Sequence, residues 1–150
     1  MKKISLISIL SAMLLLMVGC NKEYITHEHY YQTIVDGATL LNYEYTVNPN
    51  DWVTEDGLGY YYASFNNQDI TQAVEDNGAV VAYVWSDGRW NLLPYVFPYY
   101  SAAEDATWGE NIRFDWKKGE VTFIIQDLDG GLPEGMENIG QMIFKVCILK

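Results

Sequence analysis

The chain has 150 residues, of which 20 are acidic and nine are basic, so its formal net charge is −11. This length is enough for one domain and short for two. An acidic surface repels phosphate backbones and offers no basic patch for anionic lipid, so the charge argues against nucleic acid as a partner. The 22 Tyr, Trp and Phe residues all follow residue 20. Aromatic residues favour strands, and the composition therefore indicates a small, acidic, strand-rich protein.

The amino-terminal segment has the layout of a secretory signal. Lys2-Lys3 precede an apolar run over residues 4–18, interrupted only by serines, which ends at Gly19-Cys20. A spanning helix needs roughly 20 apolar residues, so this run is too short for one and fits a removable signal. We therefore predict a signal peptide over residues 1–19.

The end of this segment resembles the lipobox of bacterial lipoproteins. In Leu16-Met17-Val18-Gly19-Cys20 a small residue precedes the cysteine, although Met17 stands where leucine is usual. The resemblance implies cleavage after Gly19 and a diacylglycerol on Cys20, and several acyl chains together make a stable membrane anchor. An ordinary signal peptide is the alternative, but it leaves the position of Cys20 unexplained.

Residues 20–37 are predicted to be a lipidated tether. They show no clean hydrophobic period, and Asn21-Lys22-Glu23 resembles the charged surface-export signal of Bacteroidota lipoproteins. That resemblance favours the cell surface over the periplasmic face of the outer membrane. His27 and His29 both lie here, and a tether lacks the outer shell that holds metal ligands in place. The domain over residues 38–150 would then contain no histidine, the commonest general base.

Residues 39–85 are predicted to form strands that precede and follow one short helix. Leu41 to Val47 alternates apolar and polar residues, which predicts a half-buried strand, and residues 59–65 predict a second one. Residues 69–78 fit a short crossing helix with Asp69 as N-cap and Gly78 as the glycine after its end. The apolar run over 79–85 predicts a central strand.

The second half of the chain continues as short strands. Asp87-Gly88 marks a hairpin turn, and two prolines should push residues 95–97 to a sheet edge or a loop. A polar loop over 101–109 is followed by predicted strands over 112–116, 121–126 and 142–149. About eight short strands predict an all-β fold, a single antiparallel β-sandwich of Greek-key or jelly-roll type with one short crossing helix.

Several strings together resemble a group of small Bacteroidota lipoproteins, over roughly residues 40–150. The strings are Asp51-Trp52, Asp69 to Val74, Asn77 to Tyr83, Trp90 with Leu92 to Tyr95, and Phe144 to Leu149. The resemblance implies a β-sandwich on a lipid anchor. It implies no activity and no catalytic residues.

Metal and covalent chemistry have little support. Asp127 and Asp129, with two glutamates downstream at 134 and 137, form a weak calcium candidate, but the third ligand position of a calcium loop is Gly131. An acidic hairpin loop explains the same residues. Cys147 has no partner beyond the lipidated cysteine and should pack as a small buried hydrophobe. We therefore predict no metal, no cofactor and no catalytic residue.

Aromatic residues near loops are the candidate ligand-binding positions, because their rings can stack on sugars or on a partner's side chains. Trp108 is the foremost, since it lies in a polar loop, although it could instead fold back into the core. The candidates are Trp52, Trp90, Tyr99, Tyr100 and Trp108.

The predicted function is therefore a non-enzymatic, lipid-anchored cell-envelope protein that binds or presents a glycan or a protein partner at the outer membrane. An accessory subunit of an envelope complex, with no small-molecule site, is the alternative. A hydrolase using two carboxylates is the third hypothesis. A binding module should expose aromatic residues in one shallow patch, an accessory subunit a large apolar patch.

Overall fold

A computed structural model describes residues 29–35, 37–101, 106–133 and 139–150, with side chains for 37–98, 109–133 and 139–150. The predicted all-β sandwich is confirmed, with nine strands in this part of the chain where about eight were expected. One antiparallel sheet has the order β1-β2-β9-β4-β5, and the other has the order β3-β8-β7-β6. The strands are β1 (His29–Val35), β2 (Ala38–Val47), β3 (Tyr61–Asn67), β4 (Ala79–Ser86), β5 (Arg89–Leu92), β6 (Tyr95–Ser101), β7 (Ala106–Lys117), β8 (Gly119–Asp127) and β9 (Met142–Leu149).

Strand β1 lies inside the segment that was predicted to be tether. It pairs antiparallel with β2, from His29 opposite Glu44 to Val35 opposite Ala38, so the boundary expected at residue 38 falls within a hairpin. His29 is therefore part of the sheet, on its edge strand, and the expectation of a domain without histidine is wrong. An edge strand is held by backbone hydrogen bonds to a single neighbour, and it can form without a clean hydrophobic period. The predicted signal peptide and Cys20 lie outside the described residues.

Aromatic side chains fill the space between the two sheets. The alternation predicted for β2 is confirmed, because Leu41, Tyr43, Tyr45 and Val47 are all buried. The Tyr45 ring lies 4.9 Å from that of Phe65 across the interface, measured between ring centroids. Since apolar burial is the main stabilising term in folding, this interface holds the sandwich together.

The crossing helix α1 (Gln72–Asn77) forms where the sequence predicted it, with a different N-cap. Thr71 is the N-cap, and its side chain accepts a hydrogen bond from the Val74 N–H. Asp69, the predicted cap, is engaged elsewhere. Gly78 ends the helix at φ −95°, so conformational freedom does not explain it. A Cβ there would lie 2.5 Å from the Leu149 carbonyl oxygen, so the close approach of β9 requires glycine.

Three other sequence expectations can be compared with the strands. The proline-flanked segment is β6, an edge strand, as predicted. Strand β9 lies at the centre of the five-stranded sheet, and the predicted central strand β4 lies beside it. The expected 101–109 loop is largely strand, because β7 begins at Ala106 and pairs Trp108 with Tyr99 of β6. Over the described residues, no helix is long and apolar enough to cross a membrane.

Candidate functional site

The outer face of the five-stranded sheet carries a group of aromatic side chains. In β4 the buried Ala82 and Val84 alternate with Tyr83 and Trp85, which therefore point away from the core. The two-residue turn at Asp87-Gly88 sets the register of the hairpin, so that Trp85 of β4 lies opposite Trp90 of β5. We define the aromatic patch as the group formed by Tyr83, Trp85, Trp90, Leu92 and Lys145.

The patch is ordered by contacts among its own members. The Trp85 and Trp90 rings meet edge to face, with centroids 5.1 Å apart and planes at 66°. The Lys145 ammonium lies 4.4 Å from the centre of the Trp90 ring and 4.9 Å from that of Tyr83. Trp85 is 41% exposed and Leu92 is 54% exposed, values far above those of core residues. A cation held between two rings keeps both in place while it leaves Trp85 open to solvent.

A cleft of about 210 Å³ opens beside the patch, between the two sheets at the end where β4 finishes and β9 begins. Trp85 belongs to both the cleft and the patch. The described residues that line the cleft include a serine, a glutamate and a glutamine together with apolar residues, and Glu110 is the one ionisable residue among them. Its main lining residues are Trp85, Ser86, Glu110, Ile112, Gln141 and Met142.

The sequence-predicted aromatic residues divide into three groups. Trp90 lies in the aromatic patch, opposite Trp85 and beneath the Lys145 ammonium. Trp52 is 8% exposed and packs edge-on against Phe144 with centroids 6.3 Å apart, so its candidacy is wrong: the chain crosses between the sheets here, and the ring fills the core. The side chains of Tyr99, Tyr100 and Trp108 lie outside those that the structure describes.

Sequence reasoning missed Tyr83 and Trp85, although the signal was present. The run over residues 79–85 is almost wholly apolar, which predicted a central strand but gave no sign of which side chains face outward. Counting outward from the Asp87-Gly88 turn pairs residue 86 with 89 and residue 85 with 90, which puts both tryptophans on one face. Hairpin register, rather than hydropathy, locates the patch.

The outer face of the four-stranded sheet also carries tyrosines, and they contact polar and charged neighbours. The Arg113 guanidinium lies 5.3 Å from the Tyr60 ring centre and donates to Gln126 Oε1 at 2.8 Å. The Tyr62 hydroxyl donates to Glu55 Oε1 at 2.9 Å, and that carboxylate raises the pKa of Tyr62. These contacts resemble a structural network, and they make this face a useful control surface.

The weak calcium candidate is a turn in the described residues. Asp129 Oδ1 accepts a hydrogen bond from the Gly131 N–H at 2.8 Å, and Gly130 adopts a positive φ of 86°. Glu134 and Glu137 lie outside the described residues. Within the described part of the chain, no three His, Cys, Asp or Glu side chains come together as metal ligands.

Cys147 lies on the outer face of β9 and is half-buried, so its predicted place in the core is wrong. Its neighbours Val146 and Ile148 take the inward positions. The thiol donates to Asn42 Oδ1 at 3.0 Å, and burial raises its pKa. Cys147 is thus held mainly in the unreactive thiol form.

A polar network closes the opposite end of the sandwich. Asp69 accepts hydrogen bonds from the Lys150 ammonium, at 2.6 Å, and from the Tyr43 hydroxyl. Both lower the pKa of Asp69, with the lysine contributing more. Deeper in the core, Asn67 Nδ2 donates to the Tyr45 hydroxyl at 2.7 Å.

Comparison of the chain with known protein families, with curated sequences and with solved structures gives no match in any of the three.

Proposed function

We propose that this chain is a lipid-anchored cell-envelope protein without enzymatic activity, and that it binds a glycan through the aromatic patch. The observation that carries the proposal is the pairing of Trp85 with Trp90 on an outward face, with Trp85 exposed. Contiguous exposed aromatic groups mark binding surfaces in soluble domains.

The chemistry of the patch suits a sugar. Tryptophan and tyrosine offer large apolar areas that lose little side-chain entropy on binding, and each also carries one polar group. A pyranose ring has an apolar face of C–H groups and a rim of hydroxyls, which such side chains can pack against and hydrogen-bond. The cleft adds hydrogen-bonding groups next to Trp85.

The binding test uses the full chain and a set of polysaccharides that includes mannan, xylan, laminarin, starch and polygalacturonate. Affinity electrophoresis should show retardation by at least one of them. Trp85→Ala and Trp90→Ala should each lower that affinity at least tenfold, which corresponds to about 1.4 kcal/mol. Tyr60→Ala, on the opposite sheet, is the matched control and should bind as the wild type does. Equal retardation of all four proteins would overturn the proposal.

The anchor is part of the same proposal and is tested separately. The lipobox-like segment supports lipidation of Cys20, outer-membrane attachment, and display on the cell surface in preference to the periplasmic face. Cells fed a labelled fatty acid should incorporate label into the wild-type chain and none into Cys20→Ser. Label in both proteins, or in neither, would contradict the assignment. Protease treatment of intact cells then tests surface display.

One observation favours the second candidate, an accessory subunit of an envelope complex. Leu92 is 54% exposed opposite Tyr83, on the four-residue edge strand β5. Open strand edges and exposed apolar side chains suit protein partners. A photo-crosslinking residue at position 92 would distinguish the two. Capture of one defined envelope protein, together with no polysaccharide retardation, would favour the accessory role.

A further inference from the structure

We infer that the glycan bound by the aromatic patch is acidic, and that an anionic group of one sugar unit, a carboxylate or a sulfate, pairs with the Lys145 ammonium. The inference rests on the proposed function and deepens it, because it names the ligand class and the residue that selects it. All five side chains of the patch lie within the part of the chain whose side chains are described.

The Lys145 side chain starts on β9 and extends across β4 towards β5. Tyr83 is its neighbour on β4, and Leu92 of β5 lies opposite Tyr83, so the three residues form one row across the outer face. The ammonium lies 4.9 Å from the centre of the Tyr83 ring and 4.4 Å from that of Trp90, which is on β5. The positive charge is therefore held over the rings on which a sugar would pack.

The Lys145 ammonium has no anionic partner among the described side chains. Glu44 lies opposite Lys145 on β2, but β2 and the two rings are on different sides of β9. Over the described residues, no carboxylate oxygen lies within 4.0 Å of the ammonium, and its N–H groups donate to no acceptor. A lysine ammonium has three such donors, and contact with aromatic rings leaves them able to bind a ligand.

Covering the patch takes the ammonium out of water, and this step favours an anionic ligand. Burying a charge costs much free energy unless the charge is paired. A neutral sugar packed on Trp90 would replace the water around the ammonium with hydroxyl groups alone. A carboxylate or a sulfate would instead form a charge-assisted hydrogen bond with it, which is shorter and stronger. An acidic sugar can therefore pack on the rings and keep Lys145 paired.

The net charge of the chain makes general attraction of polyanions an unlikely source of binding. The formal charge of −11 repels them at long range. At 0.15 M salt the screening length is about 8 Å, so charges near the patch decide the affinity. Arg89 precedes Trp90 in β5, and its side chain therefore starts on the opposite face of the sheet. Binding of an acidic polysaccharide should thus depend on Lys145 and not on Arg89.

The test measures affinity on a biosensor at 0.15 M salt, with the full chain in an uncharged detergent that carries no sugar headgroup. The acidic probes are polygalacturonate, alginate, hyaluronan and dextran sulfate. Each has a neutral counterpart, which is the carboxyl-reduced polysaccharide for the first three and dextran for the last. At least one acidic probe should bind about tenfold more tightly than its counterpart, or better. Binding of a uronate polymer assigns a carboxylate, and binding of dextran sulfate alone assigns a sulfate.

Four variants separate the charge of Lys145 from its contact with the rings. Lys145→Met should weaken the acidic probe about tenfold or more and its neutral counterpart by less than about threefold. Lys145→Arg keeps the charge and should retain most of the affinity. Glu44→Gln removes the nearby negative charge and should tighten the acidic probe by about twofold or more. Arg89→Met, the matched control, removes a positive charge from the same hairpin on the other face and should stay within about twofold of the wild type.

Three outcomes would overturn the inference. Equal affinity for the acidic and neutral forms would show that charge is not recognised. An equal loss for both forms in Lys145→Met would show that the lysine orders the rings without selecting the ligand. A loss in Arg89→Met as large as that in Lys145→Met would show that general electrostatics explains the binding.

The failure of this inference and the failure of the proposed function are distinguishable. If no acidic polysaccharide binds, the inference is wrong, and the proposed function stands where a neutral one binds the wild type and not Trp90→Ala. If Trp90→Ala leaves all polysaccharide binding intact, the proposed function itself fails.

Discussion

The inner aromatic cluster, formed by Tyr45, Phe65, Phe123 and Phe144 between the sheets, and the aromatic patch on the outer face differ in what holds their rings in place. Between the sheets, Phe123 and Phe144 stack with centroids 4.0 Å apart and planes at 14°, and both are fully buried. On the outer face, Trp85 and Trp90 touch edge to face and remain in contact with solvent. The inner rings are fixed by neighbours on every side, whereas the outer rings are fixed by each other and by Lys145.

Strand parity, more than residue type, decides whether an aromatic side chain of this chain lies in the core or on the surface. Val84 and Trp85 are consecutive in β4, yet the first is fully buried and the second is 41% exposed. Successive side chains of a strand point to opposite faces. The inner cluster should therefore govern stability, and the patch should govern binding.

The strongest test of that comparison is Phe144→Ala against Trp85→Ala. Loss of the Phe144 ring leaves a cavity beside Phe123 and Trp52, so we expect about 3–5 kcal/mol of destabilisation. Trp85→Ala should cost less, about 0.5–2 kcal/mol, because Trp85 is 41% exposed and water can fill the space that its ring leaves, so that no closed cavity forms. Urea unfolding followed by far-UV circular dichroism measures both. Equal destabilisation by the two substitutions would contradict the idea that the inner cluster governs stability and the patch does not.

A second pair of variants removes a single hydroxyl from each region. Tyr45→Phe deprives the Asn67 Nδ2 of its acceptor in the core, where both residues are buried, and should cost about 1–3 kcal/mol. Tyr83→Phe, on the patch, should change the free energy of unfolding by less than about 0.5 kcal/mol. The midpoints of urea unfolding measure both changes in stability. An unchanged midpoint in Tyr45→Phe would show that the buried hydrogen bond does not contribute to stability.

Lys145→Met sharpens the account of what orders the patch. Removing the charge between Tyr83 and Trp90 should lower stability by about 0.5–1 kcal/mol, the usual contribution of an exposed cation–π contact. Lys117→Met is the control, since its ammonium is well exposed and pairs with Glu120. We expect Lys117→Met to lower the free energy of unfolding by less than Lys145→Met does. A red shift or quenching of tryptophan emission in Lys145→Met alone would report loosened rings.

The smallest expected effect concerns pH. Lys150 and the Tyr43 hydroxyl lower the pKa of Asp69 in the folded state below its ordinary value of 3.8. The resulting stability is fully present above that value and is lost as the pH falls below it, through the folded-state pKa. The Asp69 side chain is 40% exposed, so the effect should stay under about 1 kcal/mol. Urea unfolding at pH 6 and at pH 3 should show that the wild type loses more stability between the two pH values than Asp69→Asn does. Equal losses in the two proteins would contradict a stabilising role of ionised Asp69.

The sequence was sufficient for the fold because alternation in β2 and the turn at Asp87-Gly88 are local signals. It was insufficient where the deciding fact is non-local. The crossing at Trp52 buries a ring that sequence alone places beside a loop, and β1 is defined by its pairing with β2 rather than by its own pattern.

The candidate site was predicted only in part, and for the same reason. Trp90 could be proposed from its place after a turn. The cleft, however, needs residues from both sheets, including Glu110 of β7 and Gln141 before β9. No local pattern brings residues 110 and 141 together, since their proximity depends on how the two sheets face one another.

The early start of β1 leaves few residues between this strand and position 20. If Cys20 carries the lipid, only nine residue steps separate it from His29, and a fully extended chain covers at most about 3.6 Å per residue. The linker between Cys20 and His29 is then at most about 32 Å long. His29 lies opposite Glu44, three residues before the end of β2 at Val47. The linker therefore joins the sheet toward the end where Val47 pairs with Met142, which is also the end that holds the cleft. The cleft would then open at the membrane-proximal end of the domain, within reach of molecules held at the membrane.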